Sequence, residues 1–552
     1  MPWRDFIITK QSRKSSTISC VPQGVLAVCI SFALAGCNWT ALSSVSSTGE
    51  QGNGPSHRSS VSANGRYVAF QSDASNLVPG DTNNASDIFV RDLLEGSTTR
   101  VSVDSDEMEA NFEYFSDGSY YPSISADGRY VAYCSGANNL VAGDTNGAWD
   151  IFVRDTVAGT TTRVNVNSAG AQAIGVGTES REPSISADGR YVAFASSAGN
   201  LVEGDTNGDY DVFVRDTVDG IITRVSVSNA GTEGNTGSGS SSSISDDGRY
   251  VAFSSYASNL VPNDTNGSTD VFVRDLVAGT TTRVSLSSEE VQSFPYWSSE
   301  PAISGDGRYV AFNSLAFNLV AGDSNYTYDI FVRDMVYGTT TRVSVDSAGV
   351  EANGSSFEPS ISRDGRYVAF HSQASNLVDN DTNDTYLFDI FVRDTVAGTT
   401  TRASLDAFGV EGTSGGYNPS ISGDGRYVAF GTGSTLIPED VNGFEDIVFR
   451  AIPVVTVTAI SPDRLTIGAT TRVTITGANF LTGATPVVGS AQISNTVIVN
   501  ETTMITDVIV PANSLSDVQD VLVGLPGTGP GPLTGSIGAC LDCATFSPAP
   551  GC

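Results

Sequence analysis

A hexapeptide, Gly-Arg-Tyr-Val-Ala-Phe, recurs seven times in these 552 residues, once with Tyr in the last place. Its glycines are Gly65, Gly128, Gly189, Gly248, Gly307, Gly365 and Gly425, spaced by 63, 61, 59, 59, 58 and 60 residues. So regular a period means one supersecondary unit stacked on copies of itself. In the third unit, Pro183-Ser-Ile-Ser186 leads to a turn at Asp188-Gly189 and then to Arg190–Phe194. A long polar loop follows, then Asp211–Arg215, a turn at Gly220 and Thr223–Val227. Short β-branched and aromatic runs between Gly, Asp and Asn turns predict four antiparallel strands per unit. The chain is therefore expected to be all-β, with residues 40–452 forming a seven-bladed β-propeller whose radial repetition protects the sheet edges. Each blade packs only on its neighbours, so the length exceeds one ordinary core without difficulty.

The seventh unit breaks the pattern after Asp446–Arg450, where Ala451-Ile452-Pro453 stands in place of a fourth strand. Residues 40–62 align without a gap on 340–362: Ser44-Val45 falls on Ser344-Val345, Gly49 on Gly349, Asn53-Gly54 on Asn353-Gly354. Residues 40–47 are accordingly read as a displaced outer strand that completes blade seven and removes the last open edge. The competing reading is a Ser/Thr-rich linker. With closure, residue 37 and the segment after 452 both lie on the side of the tight hairpins, and the long loops point the other way.

The net charge of −32 is unevenly distributed: residues 1–36 carry +3, which leaves −35 on the rest. A body this acidic repels nucleic acid and attracts divalent cations. After the basic start comes the apolar run Val25–Leu34 and then Ala35-Gly36-Cys37. The run is too short to span a membrane and reads as a removable signal, residues 1–36. Leu34-Ala35-Gly36-Cys37 resembles the bacterial lipobox, which implies a lipid on Cys37, an anchor at 37–39 and a place at the outer membrane or cell surface. Ordinary signal cleavage is the alternative. Cys134 ends a strand and reads as a small buried hydrophobe. Cys540, Cys543 and Cys552 fall in a Gly/Pro-rich tail, 527–552, where a disulfide suits an exported chain better than zinc does.

The long loops carry the main chemical pattern, Asp-Thr-Asn-Gly-x-x-Asp. Its first three instances are Asp81, Asn83 and Asp87; Asp144, Asn146 and Asp150; and Asp205, Asn207 and Asp211. The next four are Asp264, Asn266 and Asp270; Asp323, Asn325 and Asp329; Asp381, Asn383 and Asp389; and Asp440, Asn442 and Asp446. Alternating Asp and Asn oxygens in a turn, followed by an Asp on a strand, are suited to a flexible oxygen cage for Ca²⁺. The pattern resembles, in shortened form, the calcium loops of integrin-type propellers and thrombospondin repeats. The alternative is an Asx-turn network, in which the same side chains hold backbone N–H groups. An aromatic residue often precedes the last Asp: Trp149, Tyr210, Tyr328 and Phe388. With Trp297 nearby, these form a candidate surface for a glycan or protein partner on the loop face.

From Val455 the text changes. Ala459-Ile460-Ser461-Pro462, then Val473-Thr-Ile-Thr-Gly477-Ala-Asn-Phe480 and later Val510-Pro511 read as a small β-sandwich over 454–526. These runs resemble the IPT/TIG family of immunoglobulin-like domains, which implies a spacer or contact module without catalytic residues. The propeller units resemble TolB-like repeats through "P-x-x-S-x-D-G-x-x-x-A-F", which implies the fold and an envelope setting. Three functions follow as expectations: a non-enzymatic, lipid-anchored binding or scaffold protein; a TolB-like periplasmic component docking a protein; and a carboxylate-dependent enzyme acting on glycans. The last is disfavoured, because the chain has two histidines, His57 and His371, and no nucleophile elbow. His371 reads as a substitution at a variable strand position.

Overall fold

The computed structural model describes residues 40–547 apart from 113–117, 175–178, 380, 383–386, 407–408, 453–455, 479–484, 489–490, 501–502, 512–517 and 525–537. Cys37, the signal and Asn383 lie outside the described residues. Every regular element described is a strand. The first sheet runs Ser56–Val61, Tyr67–Ser72, Asp87–Asp92 and Ser97–Arg100, neighbours in chain order and antiparallel throughout. Five further sheets repeat it, ending at Arg163, Arg224, Arg283, Arg342 and Arg402. The seventh takes three strands from Gly416–Ile421, Tyr427–Thr432 and Asp446–Ala451, and its fourth from Thr40–Leu42. Thr40 pairs with Arg450 and Leu42 with Val448, so the first described residues supply the outer strand. The first strands of consecutive sheets touch one another around an axis, and Ser56–Val61 touches Gly416–Ile421. Such an arrangement fits a propeller.

Why Val-Ala-Phe recurs is visible between the sheets. In the fifth sheet, Val310 and Phe312 pack against Ala252 and Val271 of the fourth, while Ala311 packs with Val368 and Phe370 of the sixth. Large side chains on one face meet small ones on the next, and all of these are buried. The Gly-Arg-Tyr portion has a second reason. Gly307 sits at φ 75°, and a Cβ there would lie 2.2 Å from Cδ2 of Tyr250, the repeat tyrosine of the preceding sheet. The same glycine–tyrosine contact recurs at all seven interfaces, including Gly65 against Tyr427. Gly307→Ala is expected to cost about 3 kcal/mol, combining a left-handed backbone with an overpacked contact. Gly143→Ala has a similar φ of 76° but open space around it. Thermal melts should show a clearly larger loss for Gly307→Ala.

A circle of backbone hydrogen bonds closes the hairpin end of the axis. The N–H groups of Ala63, Ala126, Ala187, Asp246, Gly305 and Arg363 each donate to the equivalent residue of the next sheet at 2.9–3.1 Å, ending on Gly423 O. Asp424 N then donates back to Ala63 O at 3.1 Å.

Beyond residue 455 two more four-stranded sheets appear. One comprises Thr456–Ser461, Thr470–Ala478, Thr503–Ile509 and Gln492–Asn500; the other comprises Arg464–Thr466, Gly538–Ser547, Val518–Gly524 and Thr485–Val488. Ile460, Leu465, Val473, Ile475, Met504 and Val508 are buried. The second sheet continues past residue 526. Gly538–Ser547 pairs with Val518–Gly524 and, in parallel, with Arg464–Thr466. Cys540 and Cys543 thus lie on a strand rather than in a structureless tail. Its Gly/Pro-rich flanks concealed it.

Candidate functional site

Among the described residues, the acidic loops fold alike. Asn83 donates its amide N–H to Asp87 Oδ2 at 3.0 Å and to Ala110 O at 3.1 Å, while its oxygen accepts from Ala85 N at 3.0 Å. Asn146, Asn207, Asn266, Asn325 and Asn442 repeat the bond to the strand aspartate. The two aspartates of each loop do converge, as a metal cage requires, but in the first six sheets they converge on an arginine. Arg100 Nη1 lies 3.2 Å from Asp81 Oδ1, 3.3 Å from Asp87 Oδ2 and 3.1 Å from Glu109 Oε2. Arg163 Nη1 likewise lies 2.8 Å from Asp144 and 2.9 Å from Asp150. Arg224 bridges Asp205 and Asp211, and Arg283 lies 3.4 Å from Asp264 and 3.1 Å from Asp270. Arg342 bridges Asp323 and Asp329, and Arg402 lies 3.2 Å from Asp381 and 3.3 Å from Asp389.

This arrangement gives the aspartates of six loops a partner that the sequence reading did not name. Asp87, Asp150, Asp211, Asp270, Asp329 and Asp389, read from the sequence as the strand-borne ligands of a calcium cage, are instead buried partners of an arginine. Their loop partners Asp81, Asp144, Asp205, Asp264, Asp323 and Asp381 face the same guanidinium groups. Asp205, Asp211 and Glu233 have a spacing suited to a metal ion, yet Arg224 Nη1 lies within 3.5 Å of all three. A calcium ion and the guanidinium would compete for the same oxygens. Each described asparagine also turns its N–H, not its oxygen, toward the carboxylate. In six loops the carboxylates are thus already paired with an arginine.

The seventh loop differs because its fourth strand comes from the other end of the chain. Leu42 holds the register position of Arg100. Gln51 Nε2 instead donates to Asp440 Oδ1 at 2.7 Å and Asp446 Oδ2 at 2.8 Å, and Ser44 donates to Asp446 at 2.5 Å. Burial raises the pKa of both aspartates. Here two carboxylates meet a neutral amide in place of the guanidinium.

Burial also pushes Asp81, Asp144, Asp205, Asp264 and Asp323 up to about 6, with the second aspartate of each loop adding to the shift. Between their unfolded value near 4 and the folded value near 6, the native state binds more protons than the unfolded chain. Stability is therefore expected to fall as pH rises from about 4 to 6. Asp155 and Asp275 act oppositely: Arg129 and Arg249 hold them at about 2, a contribution present above pH 4 and lost toward pH 2. Melting temperatures measured across pH 3–8 should peak at about 4–5.

A second cluster, on the axis, escaped the sequence reading. Each first strand contains an irregular step. There Arg58, Tyr121, Glu182, Glu300, Glu358 and Asn418 occupy equivalent positions, with φ of 39–57°. Side chains in left-handed backbone are costly and concentrate at functional sites. These ones turn toward one another across sheets. Glu358 N donates to Glu300 Oε2 at 2.8 Å, Asn418 N to Glu358 Oε2 at 3.1 Å, and the Arg58 guanidinium lies 4.4 Å over the Tyr121 ring. Burial pushes Glu182 up to about 7; Glu300 and Glu358 add to this, against Arg181 and Arg58. Burial raises Glu300 and Glu358 as well. Tyr121, Glu182, Glu300, Glu358 and Asn418 each precede a proline, which ordinarily pushes its predecessor to extended backbone with negative φ, so the left-handed step was not legible in the sequence.

Part of the predicted aromatic surface borders this cluster. Tyr328 packs on Phe357 at 4.9 Å, and Phe388 packs on His371 at 4.6 Å and Tyr417 at 5.7 Å. His371 Nδ1 lies 3.5 Å from Glu358 Oε2, and burial pushes the imidazole down to about 4. His371, set aside as a variable strand position, therefore belongs to the site. Trp149 packs on Tyr120 at 5.1 Å with the rings tilted, and Tyr210 lies under Arg181 and donates to Glu179. Trp297 is 60% exposed.

No protein-family model matches the sequence, nor does any curated protein. Among solved structures, the putative TolB from Agrobacterium tumefaciens is 16% identical, with a TM-score of 0.34 over 65% of this chain and 95% of its own. Oligogalacturonate lyase from Vibrio parahaemolyticus is 11% identical, with a TM-score of 0.45 over 76% and 99%. A puromycin-hydrolysing peptidase of Mycobacterium tuberculosis is 13% identical, with a TM-score of 0.43 over 72% and 53%. This chain's own sheet order carries the fold.

Proposed function

We propose that this is an exported lipoprotein, anchored through Cys37, whose seven-bladed propeller binds a partner without chemistry of its own. In this reading the C-terminal sheets are an immunoglobulin-like spacer, and the envelope is the setting. One observation supports a binding role above the others: six strained, equivalent positions gather three half-buried glutamates and an arginine on the axis, beside an aromatic wall. Folding alone needs no such carboxylates, and a partially desolvated acidic site favours a polar or cationic group from a glycan or protein. Pull-downs from intact cells with the whole chain and with the double variant Glu300→Gln, Glu358→Gln test this. Capture of the same partner by both would end the axial reading.

The elevated pKa of Glu182 favours a second reading. A carboxyl pushed up to about 7 beside two others is equipped for general acid work on a glycan. Turnover of a polysaccharide panel that Glu182→Gln abolishes would favour it.

Calcium enters as a stabiliser of the seventh loop. Ca²⁺ is expected to raise the melting midpoint by mass action, and the double variant Asp440→Asn, Asp446→Asn to remove that response. Equal melts in Ca²⁺ and chelator would leave all seven loops as hydrogen-bonded turns.

A further inference from the structure

The turns between third and fourth strands carry Leu94, Val157, Val218, Val277, Val336 and Val396 at one equivalent position, and all are 40–77% exposed. Turn tips ordinarily carry Gly, Pro, Asn, Asp or Ser. Each of these residues donates its N–H to the aspartate two positions earlier at 2.9–3.0 Å. Each aspartate is in turn gripped by an arginine at the start of the second strand, as Asp275 is by Arg249 at 2.7 Å. The apolar tips are therefore held on rigid turns above paired, mutually neutralised charges.

The ring of tips is interrupted at the seventh sheet, where the chain leaves after Ala451 and the N-terminal strand enters. Thr40 pairs with Arg450, whose counterparts in the other sheets stand three residues before the exposed tips. The first described strand thus begins at the same end of the ring as the tips. Cys37 is three residues before it, a reach of about 11 Å at full extension.

We infer that the six apolar turn tips dock this end of the ring onto a lipid surface, with the loop face directed away from it. The geometry rests on the reading of Cys37 as the lipid-bearing residue. The net charge of −35 on residues 37–552 disfavours anionic lipid, so the surface it suits is zwitterionic.

The test uses the chain from Cys37 to Cys552 made without acylation, which keeps every described residue. Phosphatidylcholine and phosphatidylglycerol vesicles are floated with the chain, with the triple variant Val157→Asp, Val218→Asp, Val277→Asp, and with Tyr326→Asp, an exposed site in an acidic loop. The unaltered chain and Tyr326→Asp are expected to float with phosphatidylcholine, and the triple variant to lose about tenfold in partitioning. The inference is overturned if the unaltered chain does not float, or if Tyr326→Asp weakens flotation as much as the triple variant. It is also overturned if the triple variant merely turns a dimer into a monomer, which would make this end an interface between copies. Acylation of Cys37 is read separately, from the mass of the exported protein, so failure of the anchor and failure of the docking face are distinguishable.

Discussion

Replacing Arg342 by methionine is expected to cost about 3–5 kcal/mol, because removing one partner of a buried ion pair leaves the others uncompensated. Asp329 is fully buried, Asp323 nearly so, and both would lose the guanidinium they share with Glu351. Methionine preserves much of the volume, so the loss reports on charge rather than on a cavity. Adding Asp323→Asn should recover part of it, since one of the stranded charges is then gone. Calcium gives an independent reading. With the guanidinium absent, the fifth loop presents the oxygens that an ion needs, so the variant should gain more stability from Ca²⁺ than the parent does. Thermal melts of both proteins in calcium and in chelator decide the matter. Equal responses would mean that these loops cannot take a cation even when vacated.

Deleting the N-terminal strand is the second large effect. A chain starting at residue 50 is expected to be about 3–5 kcal/mol less stable than one starting at residue 38. The loss combines strand hydrogen bonds worth about 1 kcal/mol each with Asp446 left buried without Ser44. Ser43 N donates to Ile447 O at 2.8 Å, and Val45 is buried. Asp446–Ala451 then becomes an open edge, so the shorter chain should also self-associate. Side-by-side melting and light scattering measure both. Matching melts and a monomeric shorter chain would show that the ring closes without its fourth strand.

How much of this could be read from the chain depends on the range of the interactions involved. The four-strand unit is set by neighbours in sequence: alternating apolar residues and turns at Asp-Gly are local, so it was legible. The displaced strand was legible too, because it kept the register of the repeat it completes, with Ser44 and Val45 falling where Ser344 and Val345 stand. Gly538–Ser547 was not, since its partners lie at Arg464–Thr466 and Val518–Gly524 and its flanks look like a tail.

The candidate sites divide in the same way. Composition and spacing determined that seven Asp-x-Asn loops would recur and that their aspartates would converge. They could not show what the aspartates converge on. The arginine that fills six of the loops, Arg100 and its equivalents, lies 13 residues beyond the strand aspartate in sequence. Asp150, Asp270 and Asp389 thus meet Arg163, Arg283 and Arg402 only because strand pairing brings each guanidinium between two carboxylates. The seventh loop lacks it because ring closure substitutes Leu42 from the far end of the chain. The axial glutamates are a stronger case. Glu182, Glu300 and Glu358 are separated by 118 and 58 residues, each reads as one more polar residue before a proline, and nothing local couples them. Only a closed ring brings their strained positions together, removes part of their water and makes their charges interact.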